Sequence, residues 1–515
     1  MGLFLCPIIS PIRTKYSLLY YLQLLFLIHP QHKIMRITTI AILFSLLCAK
    51  TVGQNTCREV IAYYPNWQWY DRNNLVNPTS IDYSLYSIIN YAFFNVLNDG
   101  SIQSTDPWAD KNLLLGPINW AVAPAGYETS YDFGNPQYHH PNQQFSQYCH
   151  EADVKLLPSL GGWTLSTNFP DVASDPVKRQ HLAQQCVELI SAYDFDGIDL
   201  DWEYPGYVPH AGTPNDAANF TLLLQDIRSA LDAAESELGK ELLLTIAVGA
   251  SPANMENVQW TAILPFVDII NLMSYDYFGA WEPLTNHNSP LFQPAVGAPE
   301  FNAHASIVRL TEQYAVPADK LAMGIGFYGR AVKTLGAPGL HVASTGVADA
   351  VSFPADEGNP LYHAIVSALP NFDYQWDDLS KVPYLTGNGA LNTFVSFDDT
   401  ASVRLKAEYI VANDLRGAIV WELTGDYIET DEGSGVVLEV PLASTIKLAF
   451  CSEVPPVGCL GDFDFDAMVG VSDLLFLLQN FGCSTNCLGD LDGDGTVTTG
   501  DFVIFLGFYG TLCTD

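Results

Sequence analysis

The chain has 515 residues, 57 of them acidic and 22 basic, which gives a formal net charge of −35 at pH 7. An acidic excess of this size repels the phosphates of nucleic acids and anionic membranes, so we expect neither as a partner. The length exceeds that of one ordinary domain and predicts an enzyme-sized domain with a smaller module.

Residues 1–53 read as a signal segment that is removed on secretion. Met35, the start codon that we favour, precedes an apolar run from Ile37 to Leu47 and the small residues at 51–53. The apolar stretch upstream of Met35 is too short to span a bilayer comfortably, so we expect no stable membrane insertion. The sequence therefore predicts a secreted protein, and attachment to a cell surface stays open.

The cysteines left after cleavage are compatible with an oxidising compartment but too sparse to build a disulfide-based fold. Cys57 opens the larger domain and Cys451 closes it, so a bridge between them is one interpretation. Cys149 and Cys186 precede successive predicted strands and fit buried thiols equally well.

Eight short apolar runs, separated by amphipathic helical stretches, follow one another along residues 54–450. They are Val60 to Tyr64, Ile88 to Phe94, Lys155 to Leu160, Phe195 to Glu203, Leu242 to Val248, Val267 to Tyr275, Leu321 to Tyr328 and Ala418 to Leu423. Strands and helices that alternate in this number predict an α/β fold, a (β/α)8 TIM barrel. Polar and aromatic residues follow almost every run, at the strand ends where such barrels carry their chemistry.

The segment 331–392, between the last two predicted strands, has loop-like composition and weak alternation. A structureless loop of this length is unusual inside a compact domain. We therefore predict a small α+β insertion between strand 7 and helix 7, which would form a wall over the cleft.

The fourth run contains three acidic residues at alternate positions, Asp199, Asp201 and Glu203. Alternate residues of a strand share one face, so these carboxyl groups form an inward row. Because like charges this close cannot all ionise, the row retains a proton, and the outermost member, Glu203, can hold it near neutral pH. Such a group can protonate a leaving oxygen, as the acid of a glycosidase must.

Residues 196–203 match the DxxDxDxE signature of glycoside hydrolase family 18, and four further motifs in chain order resemble that family. They are Ser159-Leu-Gly-Gly-Trp163, Met273-Ser-Tyr-Asp276 continuing to Trp281 and His287-Asn-Ser-Pro-Leu, Tyr328-Gly-Arg330, and Trp421-Glu-Leu423. The resemblance covers residues 57 to about 448. The region after Arg330 is similar to the extra subdomain of the family's deep-cleft chitinases.

The resemblance implies hydrolysis of β-1,4-linked N-acetylglucosamine polymers with retention of configuration, the substrate's acetamido group acting as nucleophile. Glu203 would be the acid and base, and Asp201 would orient the acetamido group. Asp199 would hold a proton for Asp201, and Asp196 would support the strand end. Tyr275 would bond the acetamido oxygen, and no cofactor is expected for catalysis.

Further residues at the strand ends are predicted to bind the sugar chain. Trp421 would be the floor beneath the sugar at the cleavage site, because an aromatic plane matches the C–H face of a pyranose. The other candidates for sugar contacts are Tyr63, Trp67, Phe93, Trp163, Asp276, Trp281, Tyr328 and Arg330. For any single aromatic residue core packing is the commoner role, and strand-end position favours Trp421, Trp163 and Trp281.

After a linker at 451–458, residues 459–515 contain a 28-residue repeat with calcium-loop spacing. The candidate ligands are Asp462, Asp464, Asp466 and Asp473, repeated as Asp490, Asp492, Asp494 and Asp501. The sixth position is Gly495 in the second loop but Ala467 in the first, which makes the first site less certain. The resulting small α-helical module resembles a dockerin, and a cohesin or surface scaffold would be its partner. A calcium-stiffened spacer is the alternative.

Two other functions stay open at this stage. An endo-β-N-acetylglucosaminidase acting on N-linked glycans would share the fold and the acidic motif, although the insertion and the Trp281 loop favour chitin. A non-catalytic chitinase-like lectin usually lacks the acid residue, whereas Glu203 is present.

Overall fold

A computed structural model describes residues 57–129, 134–355, 357–431 and 433–451. In the C-terminal tail it describes residues 461, 469–470, 473–474, 477–478, 480–483, 489, 491 and 496–510. The predicted signal segment 1–53, most of the predicted linker 451–458 and six of the predicted calcium ligands lie outside the described residues. Those six ligands are Asp462, Asp464, Asp466, Asp490, Asp492 and Asp494.

Eight parallel strands close into a barrel, which confirms the predicted fold of the larger domain. In chain order they are Glu59–Pro65, Ile88–Val96, Lys155–Gly161, Gly197–Asp201, Leu243–Gly249, Ile269–Met273, Leu321–Gly326 and Gly417–Trp421. The first strand pairs with both the second and the eighth, which closes the sheet. A short strand, Ile102–Ser104, adds to the second strand in antiparallel fashion.

Helices cover the outside of this barrel and connect its strands. Their bounds are Pro107–Leu114, Phe145–Glu151, Phe169–Ser174, Pro176–Tyr193, Asp216–Leu238, Pro252–Met255, Trp260–Ile263, Ala303–Val308, Thr400–Ala412 and Pro441–Cys451. At the start of the helix Pro176–Tyr193, the Asp175 side chain accepts hydrogen bonds from two backbone N–H groups of the first turn. The helix ends before Asp194, whose backbone has the left-handed conformation. The first strand is followed by 3-10 turns, Asn66–Asn73, instead of a long helix.

Alternation along the strands separates two cores. Outward residues such as Ile198, Leu200 and Trp202 pack with the helices, and the Trp202 ring stacks on Phe169 at 5.5 Å between centroids. Inward residues form a smaller cluster that includes Tyr63, Phe93, Tyr275 and Tyr328. These four aromatic residues lie near the carboxyl ends of their strands, where they form the base of the open end of the barrel, which is called the mouth.

A five-stranded antiparallel sheet lies between the seventh and eighth barrel strands in sequence. Its strands are Arg330–Thr334, Ser344–Ala348, Phe372–Asp377, Val382–Gly387 and Thr393–Ser396, and the helix Tyr362–Ala368 is inserted among them. Residues 339–344, which connect the first two strands of this sheet, bind the loop after the sixth barrel strand. Thr285 donates from its backbone N–H to the Val342 carbonyl at 2.9 Å and accepts from His341 N–H at 3.0 Å. The sheet thus fixes the loop that carries Trp281.

A disulfide joins Cys57, just before the first strand, to Cys451, the last residue of the helix Pro441–Cys451. Cys149 and Cys186 are buried free thiols. Among the described residues, no helix combines the length and apolar character needed to cross a bilayer.

The two halves of the tail repeat contact each other in equivalent ways. Val469 and Val497, which are 28 residues apart, lie fully buried in one small core with Leu477 and Phe505. The backbone bonds repeat as well: Gly482 N–H donates to Val497 and Gly510 N–H donates to Val469, at 2.8 and 2.7 Å. The sequence repeat therefore corresponds to a structural one.

A buried ion pair ties the sheet insertion to the barrel. Lys406, in the helix Thr400–Ala412, is fully buried and donates to both carboxyl oxygens of Asp398 at 2.6 and 2.7 Å. Its ammonium also donates to Ser289, which lies on the loop after the sixth strand. Burial lowers the pKa of Lys406, and the charge of Asp398 opposes that effect.

We expect Asp398→Asn to lower the free energy of unfolding by about 3–5 kcal/mol, because it leaves a buried ammonium without its counter-charge. Glu408→Gln is the matched control, since Glu408 pairs with Arg404 on the same helix but is half exposed. That variant should cost less than about 0.5 kcal/mol. Denaturant unfolding followed by intrinsic fluorescence measures both, and equal midpoints for the two variants would contradict the role given to this pair.

Candidate active site

The structure brings the predicted site residues to one end of the barrel. Each lies in the second half of a barrel strand or in the connection after it, except Asp199, which is the middle residue of the strand Gly197–Asp201. The carboxyl ends of the parallel strands meet at one rim. The residues gathered there are Tyr63, Trp67, Phe93, Trp163, Asp199, Asp201, Glu203, Tyr275, Asp276, Trp281, Tyr328, Arg330 and Trp421. Asp196 lies at the opposite end of the fourth strand, where its carboxylate accepts from the Leu156 N–H at 2.8 Å.

Asp199 lies inside the barrel and is surrounded by hydrogen-bond donors. Its carboxylate accepts from the hydroxyl groups of Tyr63 at 3.0 Å and Ser159 at 2.7 Å. It also accepts from the Asn271 amide at 3.1 Å and from the Thr245 hydroxyl. Burial raises the pKa of Asp199, and these bonds oppose the rise.

Strand register explains this set of donors. Ser159 and Thr245 are the direct register partners of Asp199 on the third and fifth strands. Side chains at paired positions of neighbouring strands point to the same side of the sheet, so these two donors face Asp199 directly. Tyr63 on the first strand and Asn271 on the sixth complete the set, so four strands supply donors to one carboxylate, from positions 136, 40, 46 and 72 residues away in sequence.

Asp201 lies fully buried one step nearer the mouth and is left without this support. Among the described residues, its Oδ1 atom has no hydrogen-bond partner. Burial, followed by the negative charges of Glu203 and Asp199, holds the pKa of Asp201 well above its usual range. A buried carboxyl oxygen without a partner is costly, so this atom is poised to bond a ligand group that enters the mouth.

Glu203 is the outermost carboxyl group, and burial raises its pKa to about 7. The charge of Asp276 adds to that rise, whereas a hydrogen bond from the Tyr204 hydroxyl lowers the pKa. Because Glu203 and Asp201 interact strongly, their protons belong to the pair. Near neutral pH the pair retains a proton at the mouth, as a general acid requires.

The backbone of Glu203 is fixed on both sides by side chains. Its N–H donates to the Ser166 hydroxyl at 2.9 Å. Its carbonyl oxygen accepts from Nδ1 of His210 at 2.6 Å. Both contacts orient the peptide that carries the acidic side chain.

The glycines before Trp163 allow the third strand to approach the carboxyl row. Gly161 and Gly162 have φ values of +110° and +89°, which residues with a side chain rarely adopt. A Cβ atom at Gly161 would lie 2.2 Å from the Asp201 carbonyl oxygen. Only glycine fits there, and the motif Ser159-Leu-Gly-Gly-Trp163 is explained by this close approach.

The aromatic residues divide into a buried base and exposed platforms. Tyr63, Phe93 and Tyr328 are 2%, 7% and 6% exposed, so little of each ring is open to a ligand. The ring of Phe93 stacks on Trp421 at 5.7 Å and supports it from the barrel side. The side chains that project into the mouth are Trp67, Trp163 and Trp281, each about half exposed.

Asp276 organises the rim opposite Glu203. Arg330 pairs with its carboxylate at 2.6 Å, and the Tyr328 hydroxyl also donates to it. The guanidinium of Arg330 lies 4.8 Å from the ring centroid of Trp281, a cation–π contact that holds this indole at the mouth. Asp276 therefore raises the pKa of Glu203 and, through Arg330, also holds the ring of Trp281.

Several functional positions were not predicted from the sequence. They are Ser159, Ser166, Tyr204, His210, Thr245 and Asn271, all of which contact a member of the carboxyl row. Ser159 begins the third-strand motif and Ser166 follows it. Counting register levels from Asp199 would have indicated Ser159 and Thr245. Nothing in the local sequence indicates that His210 contacts Glu203.

In the tail, the two described members of the predicted calcium set are fully buried. Asp473 accepts from the Gly470 N–H at 2.7 Å, and Asp501 accepts from the N–H groups of Leu491 and Thr498 at 2.6 and 2.7 Å. No group of three or more metal-ligating side chains occurs within the part of the chain that the structure describes.

A barrel with a protonated carboxyl group beside further carboxyl groups, under exposed indoles, has the chemistry of a glycoside hydrolase. The family model of glycosyl hydrolases family 18 matches residues 59–426. The chain belongs to this family and is a glycoside hydrolase.

Two chitinases are similar to this chain in sequence, and a third is similar in structure. Chitinase A1 of Niallia circulans is 34% identical over 418 residues, which cover 75% of this chain and 59% of that protein. Endochitinase 1 of Metarhizium robertsii is 31% identical over 368 residues, 71% of this chain and 80% of that one. The structure of chitinase ChiA74 from Bacillus thuringiensis superposes with a TM-score of 0.64 at 29% identity, covering 77% of this chain and 70% of that one.

The charge of Asp276 yields a prediction about pH dependence. Since Glu203 must be protonated to act as an acid, activity should fall as pH rises through about 7. Asp276→Asn removes a charge that favours the protonated form, so the alkaline limb of kcat/KM should move to lower pH, by about half a unit to one unit. Asp414→Asn is the control, because Asp414 is exposed and pairs with Arg58 before the first strand. An alkaline limb that stays in place or moves upward in Asp276→Asn would contradict this electrostatic link.

Proposed function

We propose that the protein is a secreted chitinase that hydrolyses β-1,4-linked N-acetylglucosamine polymers with retention of configuration. The observation that carries the proposal is the carboxyl row, in which Glu203 has a pKa of about 7 and lies beside an Asp201 oxygen that has no hydrogen-bond partner among the described residues. The relatives named above are chitinases and support the choice of substrate.

In the proposed reaction the protonated Glu203 donates to the glycosidic oxygen while that bond breaks. The sugar that contributes its anomeric carbon to this bond also carries the acetamido group. The carbonyl oxygen of that group attacks the anomeric carbon and gives an oxazolinium ion. Glu203, now a carboxylate, removes a proton from the water that opens this ring. Each proton that leaves the acid thus returns to it, and the enzyme needs no second nucleophilic carboxylate.

Asp201 is suited to assist the acetamido group. Its unpartnered Oδ1 atom can accept the acetamido N–H, and a negative charge there would stabilise the positive oxazolinium ring. Asp199, with its four donors, fixes the inner end of the row. The Tyr275 hydroxyl is assigned to the acetamido oxygen, because the ring of Tyr275 lies 6.0 Å from that of Tyr328 in the inner cluster and the charge of Asp201 acts on its hydroxyl.

The mouth fits a chain of sugars. Trp421 offers a ring whose opposite side is supported by Phe93, so its free face can take the sugar at the cleavage site. Trp163 and Trp281 lie further out and can take the neighbouring sugars. The five-stranded sheet holds the Trp281 loop through Thr285, which favours an extended polymer over a branched glycan.

Secretion and the tail belong to the same proposal. The disulfide between Cys57 and Cys451 is typical of an oxidising compartment. The tail, with eight acidic residues at matched calcium-loop positions, would bind calcium and serve as a surface or scaffold attachment module.

Glu203→Gln keeps the shape of the side chain and loses the transferable proton. We expect a loss of several orders of magnitude in kcat on N-acetylglucosamine oligomers, with binding of the oligomers largely retained. Glu422→Gln is the matched control, and it should leave kcat near the wild-type value. Glu422 is also buried with a pKa of about 7, but its carboxyl group accepts from the N–H and the hydroxyl of Thr424. The assignment fails if Glu203→Gln keeps more than about a tenth of wild-type turnover.

The tail yields a separate prediction. Calorimetric titration of the full chain should show calcium binding, and Asp492→Asn should remove the tighter event because the second loop has glycine at position six. Asp464→Asn should remove only the weaker event. Hydrolysis of soluble oligomers should be unchanged in excess chelator. Absence of calcium heats in the wild-type chain would leave the repeat as a spacer.

A further inference from the structure

Four rings pack together beside the acid; three lie on the loop that follows the fourth barrel strand, and the fourth, Trp163, follows the third strand. His210 lies at the centre of this group, with its ring centroid 4.6 Å from that of Trp163 and 5.2 Å from that of Tyr207. Tyr204, the neighbour of Glu203 in sequence, lies 6.4 Å from Trp163 and completes the set.

The hydrogen bond between His210 and Glu203 shows which imidazole nitrogen donates. A carbonyl oxygen can only accept, so the proton of this 2.6 Å bond lies on Nδ1 of His210. The edge of the same ring meets the indole of Trp163 at an interplanar angle of 63°. One side chain thus contacts both the backbone of the acid and an exposed platform.

The loop that carries His210 is itself held in place. The N–H of His210 donates to the Tyr207 carbonyl at 3.0 Å, and that of Gly212 donates to the same oxygen at 2.9 Å. The N–H groups of Gly206 and Thr213 both donate to Oδ2 of Asp216, at the start of the next helix. The imidazole therefore has a defined position and can transmit it to its neighbours.

Trp163 needs such support. Its side chain is 50% exposed, and a half-exposed indole on a loop has more than one accessible rotamer unless a neighbour restricts it. Among its ring contacts, that with His210 has the shortest centroid separation, compared with 5.6 Å for Tyr207 and 6.4 Å for Tyr204. The contact with His210 is thus the main restriction on the indole from this side.

We propose that His210 is a positioning residue that fixes the distance between the Trp163 platform and the proton of Glu203. The inference rests on the proposed function and adds one assignment to it, that the sugar on the leaving-group side stacks on Trp163 while Glu203 protonates its oxygen. The donor bond to the carbonyl orients the acid, and the ring contact orients the sugar. A misplacement of either by about 1 Å is costly for a proton transfer in a bound complex.

The two contacts can be separated by substitution. His210→Asn retains a donor near the place of Nδ1 and removes the ring, whereas His210→Phe retains a ring and removes the donor. Two substrates report on the two roles: a nitrophenyl glycoside of N,N′-diacetylchitobiose, whose leaving group needs no sugar platform, and the N-acetylglucosamine tetramer, whose leaving group does. His304 is the matched control, because it also bonds through Nδ1, to Tyr409, and packs on an aromatic ring, but at the outer surface.

With His210→Asn we expect KM for the tetramer to rise about threefold to tenfold, while kcat on the nitrophenyl glycoside stays within about twofold of wild type. With His210→Phe we expect kcat to fall about threefold to tenfold on both substrates with little change in KM for the tetramer. His304→Asn and His304→Phe should change neither parameter.

The inference is overturned if both His210 variants change the two substrates in parallel, or if neither variant differs from wild type. Circular dichroism of each variant identifies any loss of folding, and His210→Gln, which can reach the carbonyl from a longer side chain, should recover part of kcat if the donor bond matters. A wild-type enzyme that hydrolyses neither substrate would instead refute the proposed function. The two failures are therefore distinguishable.

Discussion

The burial of three carboxyl groups on one barrel strand is the constraint on which the rest of the site depends. Unpaired charge cannot be buried at this density, so the interior must supply either donors or protons. Asp199 receives hydrogen bonds from donors on other strands. Asp201 and Glu203 have raised pKa values, so this pair retains a proton. The gradient from a fully bonded carboxylate to a protonated acid runs from the interior to the mouth.

The surrounding elements hold the outer end of this row in place. Gly161 brings the third strand against Asp201, and Ser166 bonds the backbone of Glu203. Asp276 raises the pKa of Glu203 and, through Arg330, holds Trp281. The sheet insertion reaches the same loop from outside, anchored by the buried pair of Lys406 and Asp398. Parts of the chain remote in sequence therefore act on one small volume.

The sequence was sufficient to predict the barrel and the inward carboxyl row, because both follow from periodicity and strand-end position. The sequence did not predict which side chains of different strands contact each other. Thr245 reaches Asp199 through register and Asn271 reaches it from the sixth strand, and composition specifies neither contact. Tyr63 and Phe93 satisfy the strand-end pattern, but their depth in the barrel makes them supports with little open surface. His210 lies on a loop whose conformation depends on Asp216, and no local pattern indicates its contact with Glu203.

Proton NMR during the first minutes of hydrolysis of an N-acetylglucosamine hexamer tests substrate-assisted retention most directly. If the acetamido group attacks the anomeric carbon and water then opens the oxazolinium ring, inversion occurs twice and the new reducing end is formed as the β-anomer. The β signal should therefore exceed its equilibrium share at early times and decline by mutarotation. An early excess of the α-anomer would show a single inversion, and it would contradict the role given to Asp201 and Glu203.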